Sequence, residues 1–119
     1  VTRSELEDWI AAYERAWRSP GAGAVEELFD PVATYLTAPF REPHRGIDAI
    51  KRLWDAERQG PDERFTMRSE VLAVEGDTGV ARVHVLYEQP PAEWLDMWIV
   101  RLGPEGRCVA FEEWPFAPQ

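Results

Sequence analysis

The side chains able to do chemistry in this chain are scattered singly, and none sits at a spacing that binds a metal or builds a nucleophile. The two histidines, His44 and His84, lie far apart, and neither an HExxH nor a CxxC pairing occurs. There is no Gly-rich phosphate loop and no GxSxG elbow. Cys108, the single cysteine, reads as a packed small thiol. What remains is a set of polar residues among aromatics: Tyr13, Arg82, His84, Asp96 and Glu113, with Trp17, Trp54, Trp98 and Phe111. Such a set suits acid/base work without metal or cofactor, as in isomerisation, cyclisation, hydration or dehydration. Glu113 is the central candidate. It lies two residues after Phe111, so on a strand both share a face. A carboxylate among Trp and Phe must be protonated or find a cation. Arg82 would hold it ionised, and His84 would form with it a dyad that moves protons near neutral pH.

The elements that must position these residues are readable from periodicity. Ser4-Glu5-Leu6-Glu7 has the form of a capping box, and Leu6, Trp9, Ile10, Tyr13 and Trp17 follow on one helical face. Ser19-Pro20-Gly21 ends that helix. Val25, Leu28 and Phe29 give a short second helix an apolar side, stopped by Asp30-Pro31. A brief strand spans Ala33 to Thr37. A loop punctuated by Pro39, Pro43 and Gly46 carries His44, and a third helix follows with Ile47, Ile50, Leu53 and Trp54 at helical spacing, Asp48 in its first turn and Arg58 near its last.

After Gly60-Pro61 the period becomes two. Strands are expected over Glu63 to Val74, Gly79 to Glu88, Glu93 to Leu102 and Arg107 to Trp114, with breaks at Gly76-Asp77, Gln89-Pro90-Pro91 and Gly103 to Gly106. Pro115 and Pro118 end regular structure. Short turns make these strands antiparallel neighbours, and helices gathered early in the chain suggest α+β.

Composition narrows the function classes. The chain has 119 residues, enough for one core, and is 45% hydrophobic with six Trp. Its net charge of −9 argues against nucleic acid and against an anionic membrane surface. No apolar run reaches membrane-span length. One cysteine forbids an internal disulfide, and a cytoplasmic location is expected.

The stretch LFDPVATYL…P…RG..AI..LW resembles the nuclear transport factor 2-like superfamily, with its SnoaL-like and ketosteroid isomerase-like members. The resemblance covers nearly the whole chain in element order. It implies one domain over residues 1–119: an α+β, cone-shaped cystatin-like roll, with three N-terminal helices packed on a curved, mostly antiparallel sheet. It implies a small apolar organic ligand in the cone and a homodimer through the sheet's outer face.

The resemblance also assigns faces. By composition alone, Ala81, Val83, Val85 and Tyr87 would face the core. Counted by the family, Arg82, His84 and Leu86 face the pocket instead, and Val83, Val85, Tyr87, Met97 and Ile99 form the dimer strip. Asp96, Trp98, Val100 and Leu102 would point inward, as would Val109, Phe111 and Glu113. Tyr13 falls at the family's oxyanion-binding tyrosine, Trp54 beside it, and His44 in the loop at the mouth. Where the isomerases carry their general base, before the Pro closing the first strand, this chain has Ala38; where they carry a second acid donor, it has Trp98. Steroid isomerisation is therefore not expected. The competing reading is a non-enzymatic binding or dimerisation module, its cone filled by its own aromatics.

Overall fold

Helix α1, Arg3–Arg18, starts two residues earlier than the Ser4 box implies. Thr2 is the cap: its hydroxyl accepts from Glu5 N at 3.1 Å while the Glu5 carboxylate accepts from Thr2 N at 3.2 Å. Each side chain satisfies a backbone donor the first turn would leave free. Leu6, Trp9, Ile10, Tyr13 and Ala16 form the buried stripe. The computed structural model describes residues 1–57, 64–88 and 90–118. The sequence expectations for Arg58, Gly60-Pro61, Glu63 and Gln89 lie outside the described residues.

Helix α2 is a single turn, Val25–Leu28, and β1, Phe29–Leu36, follows at once. Asp30-Pro31 thus sits inside a strand rather than after a helix. The register with β6 shifts between Phe29 and Thr34, and this irregularity is what lets a proline into the strand. A two-residue strand β2, His44–Arg45, returns along β1, with Tyr35 opposite His44. His44 is therefore a strand residue at the sheet edge, not a loop residue. Gly46, at φ 85°, turns the chain into α3, Ile47–Glu57, which buries Ile50, Leu53 and Trp54.

The long strands are β3, Phe65–Glu75; β4, Thr78–Glu88; β5, Pro91–Leu102; and β6, Cys108–Phe116. All six strands form one sheet in the order β2-β1-β6-β5-β4-β3, antiparallel except for the parallel β1–β6 pair. Pro91 and Pro115, expected to break structure, lie within β5 and β6. Pro91 is the first residue of its strand, where a missing N–H costs no ladder bond. Pro115 lies beyond Glu112, the last β6 residue paired to β1, so its nitrogen faces no neighbour.

The inner face of the sheet and the stripes of α1 and α3 enclose the core, which includes Trp9, Phe29, Trp54, Trp98, Val100 and Phe111. Trp9 Nε1 donates to Leu28 O at 3.0 Å and locks α1 to α2. Leu6 lies where a Cβ on Gly79 would be, so α1 approaches β4 closely there. On β6 a bulge between Arg101 and Leu102 on the partner strand puts Cys108 opposite Leu102. Cys108 is fully buried and Val109 only half so, which moves the inward position one residue earlier than expected.

Candidate functional site

The residues converging inside the cone come from every layer. Tyr13 and Trp17 descend from α1, Tyr35 comes from β1, Trp54 from α3, Asp96 and Trp98 from β5, and Glu113 from β6. They line a cavity of about 620 Å3, whose walls also include Leu53, Phe65, Val85, Tyr87 and Trp94, with Thr37, Ala38, Arg41 and Glu57. Trp98 stands directly opposite Glu113 in the β5–β6 ladder, and Asp96 is two residues before Trp98. All three therefore share the inner face.

Asp96 and Glu113 are neighbouring buried carboxyls, and crowding two like charges there favours a proton on one of them. Burial raises the pKa of both. For Glu113 the hydrogen bond to Asp96 and its negative charge push further up, well above the usual carboxylate range; for Asp96 the bond from Glu113 pulls partly back. The two titrations depend on each other, and the proton is favoured on the Glu113 side. Asp96 is 5% exposed, and its Oδ1 faces no N–H or O–H group of the described residues. The indole N–H of Trp98 lies near enough to both carboxyls to favour their charged forms, without making a well-aligned hydrogen bond to either.

Beside the acid pair the Tyr13 and Tyr35 hydroxyls are hydrogen-bonded at 2.6 Å. Both phenols are pushed well above their usual range, Tyr13 by burial and then the Glu113 charge, Tyr35 by burial and then Tyr13. They remain neutral donors at physiological pH. Tyr13 is packed by Trp98, Trp54 and Phe111, ring centroids 4.7, 5.1 and 5.7 Å away.

The sequence reading is divided by β4. Ala81, Val83 and Val85 are the buried residues, and Tyr87 lines the cavity. Arg82, His84 and Leu86 point to the opposite face of the sheet. There Arg82 meets Glu70 at 3.3 Å and His84 meets Glu93 at 2.6 Å, while Leu86 is 42% exposed. The pairing of Glu113 with Arg82 or His84 is therefore replaced by a pairing with Asp96. The apolar strip on the outer face is also different: Leu86, Leu95, Met97, Ile99, Trp114 and Phe116 in place of Val83, Val85 and Tyr87. Of the expected aromatic lining, Trp17, Trp54 and Trp98 reach the cavity. Phe111 is buried beneath it against Tyr13, Tyr35 and Trp98, and His44 is not among the lining residues.

Tyr35 was not anticipated, although Ala33 and Tyr35 alternate inward on the expected strand, which was its available signal. Arg41 was not singled out, although its loop was expected at the mouth, and Glu57 at the end of α3 carried no signal in the sequence. Among the described residues, no three His, Cys, Asp or Glu side chains gather as a metal cage.

A curved six-stranded sheet closed by helices around an aromatic, carboxyl-bearing cavity defines the nuclear transport factor 2-like α+β cone. Within that class the chain belongs to the SnoaL-like domain family, whose model matches residues 9–114. Among solved structures it is similar to SalBIII, an epoxide hydrolase/cyclase-like enzyme with a role in pyran ring formation in the polyether salinomycin (TM-score 0.74, 14% identity, 92% of this chain and 89% of that one). It is also similar to an NTF2-like protein of unknown function from Mesorhizobium loti (0.70, 20%, 96% and 93%) and to a ketosteroid isomerase-like protein from Erwinia carotovora atroseptica SCRI1043 (0.65, 16%, 97% and 96%). No curated protein matches it in sequence.

Proposed function

We propose that this chain binds a small, largely apolar organic molecule in its cone and transforms it by metal-free acid/base chemistry of the isomerase, cyclase or (de)hydratase type. One observation carries the reading: two neighbouring buried carboxyls, Asp96 and Glu113, on the wall of an open aromatic cavity of about 620 Å3. A cavity of this size and mixed lining is typical of small-molecule sites. Protonated Glu113 is a general acid, ionised Asp96 a general base, and their environments separate the two roles. Tyr13 and Tyr35 are neutral donors suited to a developing negative oxygen. The names borne by the neighbouring structures agree with this class of chemistry, and their low identity carries no substrate across.

The test is a thermal-stability screen of hydrophobic metabolites followed by turnover assays on the hits. A ligand at a hundred times its Kd stabilises the native chain by about 2.7 kcal/mol. With a hit in hand, Glu113→Gln keeps the shape and removes the acid. Binding retained with turnover lost supports the enzyme; binding retained where neither protein turns the ligand over identifies a carrier.

Residues 1–119 are read as one such domain. A second copy is the proposed cover for the outer face, where Leu95, Trp114 and Phe116 are exposed at 46%, 37% and 59%. Light scattering on a sizing column checks it, and a clean monomer at micromolar concentration overturns it. No helix among the described residues is long and apolar enough to cross a membrane. A reducing, cytoplasmic setting is proposed from the single buried cysteine.

A further inference from the structure

We infer that the polar end of the ligand is a cation: an ammonium group on a compact apolar skeleton, seated against Asp96 and Glu113 and enclosed by aromatic faces. The inference rests on the reading of the cavity as a ligand site and names what that site selects.

Charge is distributed one-sidedly around the cavity. Three carboxyls line it from three elements: Asp96 on β5, Glu113 on β6 and Glu57 at the end of α3. Among the described residues the lining contains one cationic side chain, Arg41, which is exposed in the segment between β1 and β2. Other cations nearby are engaged elsewhere. Arg18 lies over the Phe65 ring, 4.0 Å from its centroid, and pairs with Glu14 at 2.8 Å. Arg82 and His84 face the other side of the sheet. The described residues therefore bring no cation to the acid pair, and the pair holds a proton instead.

Asp96 supplies the second observation. It is nearly closed off from solvent, and its Oδ1 meets no donor group among the described residues. An orphaned buried acceptor is costly. An ammonium offers three donors and no acceptor, which is the complement of two acceptor-only carboxylates. A carboxylate would instead add a further negative charge beside them.

The walls supply the third. Tyr13, Trp17, Trp54, Tyr87, Trp94 and Trp98 all line the cavity. Ring faces are negative and attract a cation most strongly where water is excluded. They also bury the skeleton that carries it.

A cation that enters displaces the proton favoured on Glu113. The groups facing the pair are Tyr13 from α1, Tyr35 from β1, Glu57 from α3 and Trp98 beside it on β5, with Tyr87 of β4 near Tyr13. Tyr13 and Tyr35 stay neutral and Trp98 does not titrate, so the released proton comes from the carboxyl pair.

Three probes of one skeleton test this: 2-aminotetralin, 2-tetralol and tetralin-2-carboxylate, titrated calorimetrically at pH 7 in buffers of different ionisation enthalpy. The amine should bind roughly tenfold or more tighter than the alcohol, with the carboxylate weakest. Amine binding should release a proton, approaching about one per ligand, and alcohol binding none. Asp96→Asn combined with Glu113→Gln should erase the preference, whereas Glu93→Gln on the outer face should keep it. The proton count uses the native chain, so it decides even if the double variant fails to fold. Equal or tighter binding of the alcohol or carboxylate, or amine binding without proton release, overturns the cation. Failure of all three probes to bind at millimolar concentration overturns the ligand-site reading beneath it.

Discussion

Replacing Glu113 by Gln should make the folded chain more stable at pH 8 and leave it nearly unchanged at pH 4. In the folded state burial raises the pKa of Glu113, and its bond to Asp96 raises it further. In the unfolded chain both carboxyls titrate near roughly 4. Below that range both states are protonated and the pair holds its full stability. As pH rises, the unfolded chain releases protons the folded chain retains. Stability then falls until the folded pair has itself ionised, at a slope of at most about 1.4 kcal/mol per pH unit for each retained proton.

The amide introduced by Glu113→Gln reproduces the protonated acid. Its N–H can serve the orphaned Asp96 Oδ1 at every pH, and no proton need be held. With no Glu113 proton left for the unfolded chain to release, the penalty that builds above roughly pH 4 disappears, a gain of at most about 1.4 kcal/mol per pH unit. That is a rise of about 4 °C in Tm per kcal/mol for a domain of this size. The assay is urea and thermal unfolding of both proteins at pH 4, 6 and 8. The many surface carboxylates contribute alike to both, so the difference between the proteins reports the pair. A Glu113→Gln variant less stable than the parent at pH 8, or a pH slope identical in the two, would refute a proton held on Glu113.

Three other outcomes are expected. Tyr35→Phe leaves the buried Tyr13 hydroxyl without its 2.6 Å partner and should cost about 1–2 kcal/mol in urea unfolding. Cys108, fully buried with its thiol pushed up to about 12, should not react with a thiol reagent at pH 8 until denaturant is added; rapid labelling of the native chain would contradict the placement. His84→Ala breaks only the half-exposed contact with Glu93, so stability should change by less than about 1 kcal/mol, and the affinity of any cavity ligand should be unaltered.

Where an element buries one continuous stripe, the sequence was sufficient. Leu6, Trp9, Ile10 and Tyr13 lie on α1, and Ile50, Leu53 and Trp54 on α3, as their spacing requires. The inward positions of Asp96, Trp98 and Glu113 were expected from the family resemblance, since alternation separates the two faces of a strand without saying which one points inward. Element ends were less legible. Proline was read as a full stop at Asp30-Pro31, Pro91 and Pro115, yet each of these is accommodated at a bulge, a first strand position or an unpaired edge. A two-residue strand such as β2 has no periodicity to detect, so His44 was assigned to a loop.

The reversed face of β4 came from counting by the family, whereas composition alone had placed Ala81, Val83, Val85 and Tyr87 inside; the pairing with β5 decides what Glu113 meets. Glu88 stands opposite Pro91, which leaves two residues between β4 and β5 and places Val83 opposite Asp96 and Ala81 opposite Trp98. Residues directly opposite share a face, so Asp96 and Trp98 bring Val83 and Ala81 inward with them. A connection one residue longer would shift this register by one. Arg82 then falls opposite Trp98 and His84 opposite Asp96, and both would enter the cone. A slip of one residue moves a whole strand's side chains to the other face. With Arg82 inside, Glu113 would be half of an ion pair and held ionised; with His84 inside, it would be half of a proton-moving dyad. With Val83 there instead, its neighbour is another carboxyl, which favours a proton on it. The acid chemistry proposed for this cavity thus depends on Pro91 being the first residue of a strand.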